Sequence, residues 1–173
     1  FKNVRTLVET VPNKGKKIIF VVEERPLLET IIIKGNKTLN SSIILNALSS
    51  KTGEIENQNS IRKDITSIKN LYSNLGYSHA KVISVQLTGT EKNKLEINLS
   101  EGIIERFEVT GNTKTNDHVI LRELSMQPGD PFQIEEFNIE MRKIFNLNYF
   151  TGLNYDIKPG SSPDQIVIII EVV

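Results

Sequence analysis

The chain has 173 residues with 21 basic and 21 acidic side chains, so its formal net charge is zero. Its 38% hydrophobic and 24% charged residues are typical of a globular protein and do not indicate a disordered chain. It has no cysteine, which excludes a disulfide framework, and no run of about 20 apolar residues that would predict a membrane-spanning helix.

The first 26 residues resemble the end of a structural unit. The segment Phe1–Val4 is similar to Phe150–Leu153, and the apolar run Ile18–Glu23 is similar to Ile166–Glu171. The cluster Pro12-Asn13-Lys14-Gly15 predicts a turn between two strands. We therefore expect residues 1–26 to be a hairpin, the C-terminal part of a preceding module in a longer protein. A two-stranded hairpin alone is marginally stable, so it either packs on the next module or lacks its own helices here.

The rest of the chain contains a duplication. Shifting the sequence by 76 positions superposes identical residues without a gap, among them ten pairs that mark the shared elements. The pairs are Gly35/Gly111, Asn36/Asn112, Asn40/Asn116, Ile44/Ile120, Leu45/Leu121, Leu48/Leu124, Gly53/Gly129, Ile68/Ile144, Leu71/Leu147 and Gly76/Gly152. Glycines mark turns, so their shared spacing predicts one fold made twice, as modules 27–102 and 103–173. We place the hinges of the modules at Arg25, Pro26, Glu101 and Gly102.

The first module reads as strand, helix, helix, strand, strand. A β-branched strand over residues 28–34 precedes a short helix capped at Asn40-Ser41-Ser42, and Asn59-Ser60 is predicted to cap a longer helix that Gly76 ends. The apolar face of the long helix is predicted to be Ile61, Ile65, Ile68, Leu71 or Tyr72, and Leu75. Alternation then predicts two half-buried strands with inward residues Ile83, Val85 and Leu87, and Leu95, Ile97 and Leu99.

The second module repeats this order. The inward residues are predicted to be Phe107 and Val109 on the first strand, Phe137, Met141, Ile144 and Phe145 on the long helix, and Leu153, Tyr155 and Ile157 on the second strand. The last strand, residues 166–173, is apolar on both faces, which is typical of a central strand. We therefore predict an α+β fold in which the third strand lies between the other two and two helices cover one face of a mixed sheet.

This topology leaves the second strand of each module at an edge, with unpaired backbone groups. An extended peptide can add to such an edge through main-chain hydrogen bonds. The alternative is that the edge is only solvated, or blocked by Lys81 and Lys158. The candidate polypeptide-binding residues are Lys81, Val82, Ile83, Ser84, Val85, Gln86, Leu87 and Thr88, and Leu153, Asn154, Tyr155, Asp156, Ile157 and Lys158.

A second candidate interface is the outward face of the last strand, formed by Val167, Ile169 and Val173. Apolar residues on the face away from the helices suggest cover by a neighbouring module, a membrane barrel or a client protein. A crowded core explains the same pattern, and the sequence leaves both readings open.

The sequence offers no candidate catalytic residues. The two histidines, His79 and His118, lie apart beside polar turn residues, and no spacing of His, Asp and Glu fits a metal site. The sequence also lacks phosphate-binding glycine motifs, so we expect no cofactor and no enzyme activity. A nucleic-acid-binding KH domain would need a GxxG clamp between its helices, which is absent, and acidic residues dominate the second module, so we expect no nucleic-acid partner.

Short motifs in both modules resemble one known family. They are Ile31-Ile32-Ile33-Lys34-Gly35-Asn36, Phe107-Glu108-Val109-Thr110-Gly111-Asn112, Arg122-Glu123-Leu124, Pro128-Gly129-Asp130-Pro131-Phe132, Leu71-Tyr72-Ser73-Asn74-Leu75-Gly76-Tyr77 and Leu99-Ser100-Glu101-Gly102. These segments are similar to POTRA (polypeptide-transport-associated) domains of BamA-type outer-membrane assembly proteins and the related chloroplast import channel. The segments 143–150 and 159–173 are most similar to the cyanobacterial and plastid branch, where this module lies next to the membrane barrel. One departure is Asn148, which stands where the first module has Tyr72, so we expect the ends of the two long helices to pack differently.

The resemblance implies a periplasmic scaffold that receives unfolded outer-membrane or imported polypeptides and passes them to its own C-terminal membrane β-barrel, with accessory assembly proteins as further partners. In a plastid it implies a location at the outer envelope. An alternative within the resemblance is a scaffold from a two-partner secretion transporter or a cell-division membrane protein, which would bind one folded partner.

Overall fold

A computed structural model describes residues 1–11 and 15–173. The N-terminal residues form the predicted hairpin, in which β1 (Asn3–Val11) pairs antiparallel with β2 (Gly15–Glu23). Of the predicted turn cluster, Pro12, Asn13 and Lys14 lie outside the described residues. None of the helices described is long and apolar enough to cross a membrane.

Both modules have the predicted order of elements. The first contains β3 (Thr30–Lys34), α1 (Ser41–Ala47), α2 (Gln58–Asn74), β4 (Lys81–Thr88) and β5 (Lys94–Ser100). The second contains β6 (Ile103–Thr110), α3 (Asp117–Leu121), α4 (Ile134–Phe145), β7 (Leu153–Pro159) and β8 (Gln165–Val172). The strand orders are β3-β5-β4 and β6-β8-β7, with the third strand of each module central, parallel to the first and antiparallel to the second. This confirms the predicted α+β fold with mixed three-stranded sheets.

Asparagine side chains fix where three of the four helices in the described residues begin. Asn40 and Asn116 accept hydrogen bonds from the backbone N–H groups of Ser42 and His118, as the sequence predicted. The predicted cap of the long helix at Asn59-Ser60 was wrong. Asn57 caps α2 instead, because its extended backbone lets its side chain accept from the N–H of Asn59 at 2.9 Å.

The cores lie between the helices and one face of each sheet, and the central strands fill them. Leu95, Ile97 and Leu99 are buried in the first module, and residues 166–170 are buried in the second. The predicted helix faces were wrong at Ile65, Leu75 and Phe145, which are exposed. The helices are rotated relative to the prediction because each buries a carboxylate in its apolar stripe.

These carboxylates, Asp64 and Glu140, lie 76 positions apart in the sequence and are each 1% exposed. Asp64 accepts from the backbone N–H groups of Ser49 at 2.5 Å and of Ser50 at 3.3 Å. Glu140 accepts from the N–H groups of Ser125 at 2.6 Å and of Met126 at 3.2 Å. Each therefore satisfies backbone donors in the turn after the short helix, where no helical carbonyl reaches them.

The end of the first strand is the most constrained turn of the repeat. Gly35 and Gly111 have φ angles of +86° and +85°. A Cβ atom there would lie 2.2 Å from the carbonyl oxygen of Leu99 or 2.0 Å from that of Val172. Only glycine permits this approach of the backbone to the central strand, so the shared glycines mark the shared turn that they predicted.

The two long helices end differently, as the replacement of Tyr72 by Asn148 predicted. The helix α2 continues to Asn74, and Tyr72 is buried in its last turn. The helix α4 starts at the position equivalent to the start of α2 but ends at Phe145, and Asn148 follows with a φ of +56°. The second module therefore lacks the aromatic anchor that holds the end of the first module's helix.

Candidate binding edges and the module junction

The structure places both candidate segments at sheet edges. The strands β4 and β7 each pair with one neighbour, and no further strand of the described chain lies beside them. The predicted blocking lysines stand at strand ends, Lys81 as the first residue of β4 and Lys158 as the last but one of β7. The middle of each edge therefore keeps its outward backbone groups uncovered by these lysines.

The opposite edges are less accessible. The chain before β3 and the beginning of β6 are bridged to the loop that precedes the long helix, through Leu27 to Ile55 and Ile103 to Pro131. The strand β6 also has an irregular register at Glu105. These contacts leave β4 and β7 as the better candidates for strand addition.

The strand β4 contains a β-bulge that the alternating sequence did not reveal. Its register with β5 shifts between Val82 and Ser84, so Ile83 is exposed rather than inward as predicted. An extra residue in one strand reverses the side-chain alternation, and it also interrupts the ladder locally. Residues 84–88 follow in regular register and form the usable part of this edge.

The strand β7 pairs with β8 without a shift over all seven of its residues. Its Tyr155 packs edge-on against the buried Phe137, with ring centroids 5.0 Å apart. Between β7 and α4 lies a groove of about 540 Å³ whose lining includes Met141, Phe145 and Tyr155. A side chain of an added strand could enter this groove.

A matching groove of about 690 Å³ lies beside β4, bounded by the N-terminal hairpin and α2. Its apolar lining comes from Ile61, Val85, Leu87 and Leu95. Charged residues of both signs surround it, among them Lys2, Glu24, Arg25, Glu91 and Lys92. Both open edges therefore stand next to a groove with apolar residues.

The outward face of β8 offers little apolar surface. Val167 and Ile169 are only 4% and 8% exposed, and Val173 follows the end of the strand and is 77% exposed. The register places Arg106 and Lys158 on either side of Val167. Aliphatic stems of long charged residues commonly cover apolar neighbours in this way. The three residues of the candidate interface therefore do not form one exposed patch.

The hinge at Glu101 is a buried polar cluster. Glu101 is 1% exposed, and its carboxylate accepts from the N–H and hydroxyl of Thr38, at 3.0 Å each, and from the hydroxyl of Tyr72 at 2.8 Å. Burial, followed by the hydrogen bond to Glu101, raises the pKa of Tyr72 far above its usual value. The cluster joins the end of α2, the loop after β3 and the connection to the second module.

The other hinge residues are also fixed in place. The carbonyl oxygens of Pro26 and Gly102 accept from the N–H groups of Glu56 at 2.9 Å and of Phe132 at 3.0 Å, which are equivalent residues of the two modules. Arg25 forms an ion pair with Glu56 at 2.6 Å. Each hinge is therefore hydrogen-bonded into the module that follows it.

Two further contacts join the modules. The ring of His79 packs edge-on against Phe132, with centroids 5.1 Å apart, and the N–H of Ile134 donates to the carbonyl oxygen of Gly76 at 3.0 Å. Burial, and secondarily Lys81, lower the pKa of His79. The sequence did not predict this contact of His79, because periodicity within one module carries no information on packing between modules.

The sequence contained a usable signal for the Tyr72–Glu101 pair. Both residues belong to motifs by which the chain resembles the POTRA family, the helix end 71–77 and the closing segment 99–102. The structure shows that the two motifs meet in one hydrogen bond. Among residues 1–11 and 15–173 no three His, Asp or Glu side chains lie together as a metal site requires.

Comparison with known proteins agrees with these features. The family model described as "Surface antigen variable number repeat", POTRA, matches residues 26–102 and again residues 103–173. An outer membrane protein assembly factor of Treponema pallidum is 28% identical over 154 residues, 82% of this chain and 18% of that protein. The outer membrane protein assembly factor BamA of Nitratidesulfovibrio vulgaris is 30% identical over 110 residues, 61% of this chain and 14% of that protein. The chain thus spans less than a fifth of the length of these relatives.

Solved structures show the same fold. The N-terminal domain of Omp85 from the cyanobacterium Thermosynechococcus elongatus matches 99% of this chain, and 76% of its own, with a TM-score of 0.84 and 23% identity. CdiB from Escherichia coli matches 95% of this chain and 29% of its own with a TM-score of 0.72 and 14% identity. Because the family model matches both halves of the duplication, and both halves have the same sheet order, the chain belongs to the POTRA family and contains two POTRA repeats.

Proposed function

We propose that this chain is a periplasmic, non-enzymatic scaffold of an outer-membrane protein assembly or translocation machine, and that it holds unfolded polypeptides by edge-strand addition. The observation that carries the proposal is the pair of open edges, β4 and β7, each beside a groove with apolar residues. The relatives described as outer membrane protein assembly factors support the setting.

Edge addition suits clients of many sequences. Main-chain hydrogen bonds supply affinity that depends little on side chains, while alternate side chains of the added strand face one side of the sheet. On β7 the regular register allows a ladder over residues 153–158, before Pro159, which has no N–H, and on β4 the bulge confines it to residues 84–88. We therefore propose that β7 is the stronger edge.

The proposed partners are unfolded outer-membrane polypeptides, or imported ones if the protein belongs to a plastid envelope. We also propose its own C-terminal membrane β-barrel and accessory assembly proteins as partners. The limited apolar exposure on the outward face of β8 favours the edges over Val167 and Ile169 as the client surface.

We also propose that the N-terminal hairpin is the C-terminal part of a preceding module. Val4, Val8 and Phe20 are exposed on one face of the hairpin, in the register that pairs Val4 with Val22 and Val8 with Ile18. In the two repeats the corresponding face of the sheet packs under helices. Slower amide exchange of β1 in the full-length protein than in this segment would support the proposal, and equal rates would contradict it.

Site-specific crosslinking tests the proposed function. A photoreactive amino acid replaces Gln86 on β4 or Asn154 on β7, with Lys69 on the exposed side of α2 as the matched control. We expect an unfolded barrel precursor to form adducts at the two edge positions and not at Lys69, and the same precursor in its folded state to form none. Equal yields at all three positions, or one stoichiometric folded partner in place of many clients, would contradict edge addition.

A further inference from the structure

The open edges of β4 and β7 both end at one cleft between the modules. A cleft of about 440 Å³ at the module junction is lined by His79 and Lys81 at the start of β4 and by Ile157 and Lys158 at the end of β7. Pro159, the turn residues 160–163, Gln165 and the buried Ile166 complete its lining. The cleft therefore connects an end of one edge strand to an end of the other.

The directions of the strands permit one ligand to use both edges. The strand β7 runs towards the cleft, since Lys158 is near its C-terminal end, and β4 runs away from it, since Lys81 is its first residue. A polypeptide that is antiparallel to β4 approaches the cleft, and after crossing it is antiparallel to β7 as well. The added chain therefore does not need to reverse its direction between the two edges. If both strands began at the cleft, or both ended there, such a reversal would be needed.

The two lysines of the cleft have no ion-pair partner among the described residues. Lys81 and Lys158 are exposed, and neither has a carboxylate within ion-pair distance in the part of the chain that the structure describes. Two carboxylates stand at the turn of the cleft: Asp164, between the lining residues Pro163 and Gln165, forms no ion pair with Lys81 or Lys158, and the other is that of Glu105. It accepts from the N–H of Ser161 at 2.6 Å and forms an ion pair with Arg106, so its charge is already balanced.

We propose that one extended polypeptide adds to β4 and β7 at once, and that Lys81 and Lys158 select an acidic residue where it crosses the cleft. The inference rests on the proposed function, since it requires that the edges accept strands. It adds a substrate class: extended chains with two strand-forming segments separated by a short acidic segment. The lysines at the strand ends then act as the contacts of the crossing segment rather than as protection of the edges.

The lengths of the strands set the size of the ligand. With residues 84–88 of β4 and residues 153–158 of β7 available, a ligand on both edges needs about 11 paired residues, and a few more to pass the bulge and cross the cleft. Binding of the first segment holds the second near its edge at a high effective concentration. A ligand of this length is therefore expected to bind at least about tenfold more tightly than either half alone.

The test uses this chain and a labelled 20-residue peptide with two seven-residue strand-forming segments around a central segment that contains two glutamates. The comparison peptides carry glutamines in place of the glutamates, or contain only one half. Fluorescence anisotropy gives each affinity for the wild type, Lys81→Gln, Lys158→Gln, the double variant and the control Lys114→Gln, an exposed lysine outside the cleft. Unchanged melting temperatures verify that the variants are folded.

We expect each cleft substitution to weaken the glutamate peptide about threefold, and the double variant to lose the preference over the glutamine peptide. Lys114→Gln should leave the affinity unchanged. Equal affinity for glutamate and glutamine peptides, or for full and half-length peptides, would overturn the inference while leaving edge addition intact. Absence of binding by every peptide would overturn the proposed function itself.

Discussion

Single residues of this protein combine several structural roles where the modules meet. Glu101 satisfies donors from Thr38 and Tyr72 within the first module, and it immediately precedes Gly102, whose carbonyl holds the second. A Cβ atom at Gly102 would lie 2.6 Å from the Cβ of His79. Substitutions in this short segment therefore disturb the first module and the junction together.

The turn glycines give a residue-scale prediction with an internal control. Gly35 and Gly53 both have positive φ angles, but an added Cβ clashes with the carbonyl of Leu99 at Gly35 and meets nothing within 4 Å at Gly53. We expect Gly53→Ala to cost about 1–2 kcal/mol, the usual penalty for a left-handed alanine. Gly35→Ala should cost distinctly more, because the backbone must also move. Chemical denaturation measures both, and equal losses would contradict the argument.

We expect the stability of the junction to vary with pH because of His79. Its pKa is lowered in the folded protein by burial and by Lys81, and the other groups around it are Phe132, Ser78 and, across the cleft, Lys158. A lowered pKa means that protonation favours the unfolded state. The contribution of neutral His79 is therefore complete above its unfolded pKa of about 6.5 and is lost as pH falls through the folded pKa.

We therefore expect the melting temperature of the wild type to fall more than that of His79→Gln between about pH 7 and pH 5. The matched control is His118→Gln in α3, away from the junction. Its melting temperature should fall with pH as that of the wild type does. Identical pH profiles for the wild type and His79→Gln would show that this histidine does not contribute to the dependence.

At the scale of elements, the long helices owe part of their orientation to a buried charge. Asp64 and Glu140 accept backbone hydrogen bonds from the turn after the short helix, which fixes the two helices relative to each other. Removing such an acceptor leaves buried N–H groups unsatisfied, at about 1–3 kcal/mol. The carboxylate thus acts as a connector between helices.

We expect Glu140→Ala to reduce the free energy of unfolding by about 2–4 kcal/mol, since it orphans the N–H groups of Ser125 and Met126 and leaves a cavity. The control Glu135→Ala, exposed in the first turn of the same helix, should cost only a few tenths of a kcal/mol through the helix dipole. Urea denaturation monitored by circular dichroism measures both. A loss at Glu140 no larger than that at Glu135 would contradict the role of a connector.

Some features of the strands and helices could be predicted from the sequence and others could not. The duplication and the apolar run at residues 166–173 were sufficient for the strand order and the central position of the third strand. The bulge at Ile83 was not predicted, because alternation continues through residues 83, 85 and 87 and only pairing with β5 determines the register. The buried carboxylates were not predicted either, because aspartate and glutamate at equivalent positions do not appear among identical residues.

At the scale of the whole molecule, the two repeats meet through a connection of two residues, Glu101 and Gly102, between β5 and β6. Backbone contacts from Gly76 to Ile134 and the ring contact from His79 to Phe132 reinforce it. The hydroxyl of Ser100 also donates to the carbonyl of Asp164 at 3.3 Å. This connection keeps the ends of β4 and β7 at one cleft, which a flexible linker would not do.

The last prediction concerns this coupling. The side chain of Phe132 is fully buried and packs on both His79 and Phe137, so its removal would also damage the second module. His79→Ala removes the contact between the modules while leaving Phe132 in its own core. We expect this variant to retain both folded modules but to unfold in two separated steps, because each module then lacks the stabilisation of its neighbour.

Calorimetry resolves the two unfolding steps. The control is Tyr149→Ala, which changes an exposed aromatic residue away from the junction and should unfold as the wild type does. A single unchanged transition in His79→Ala would mean that the backbone contacts alone couple the modules, and that the aromatic contact contributes no cooperativity.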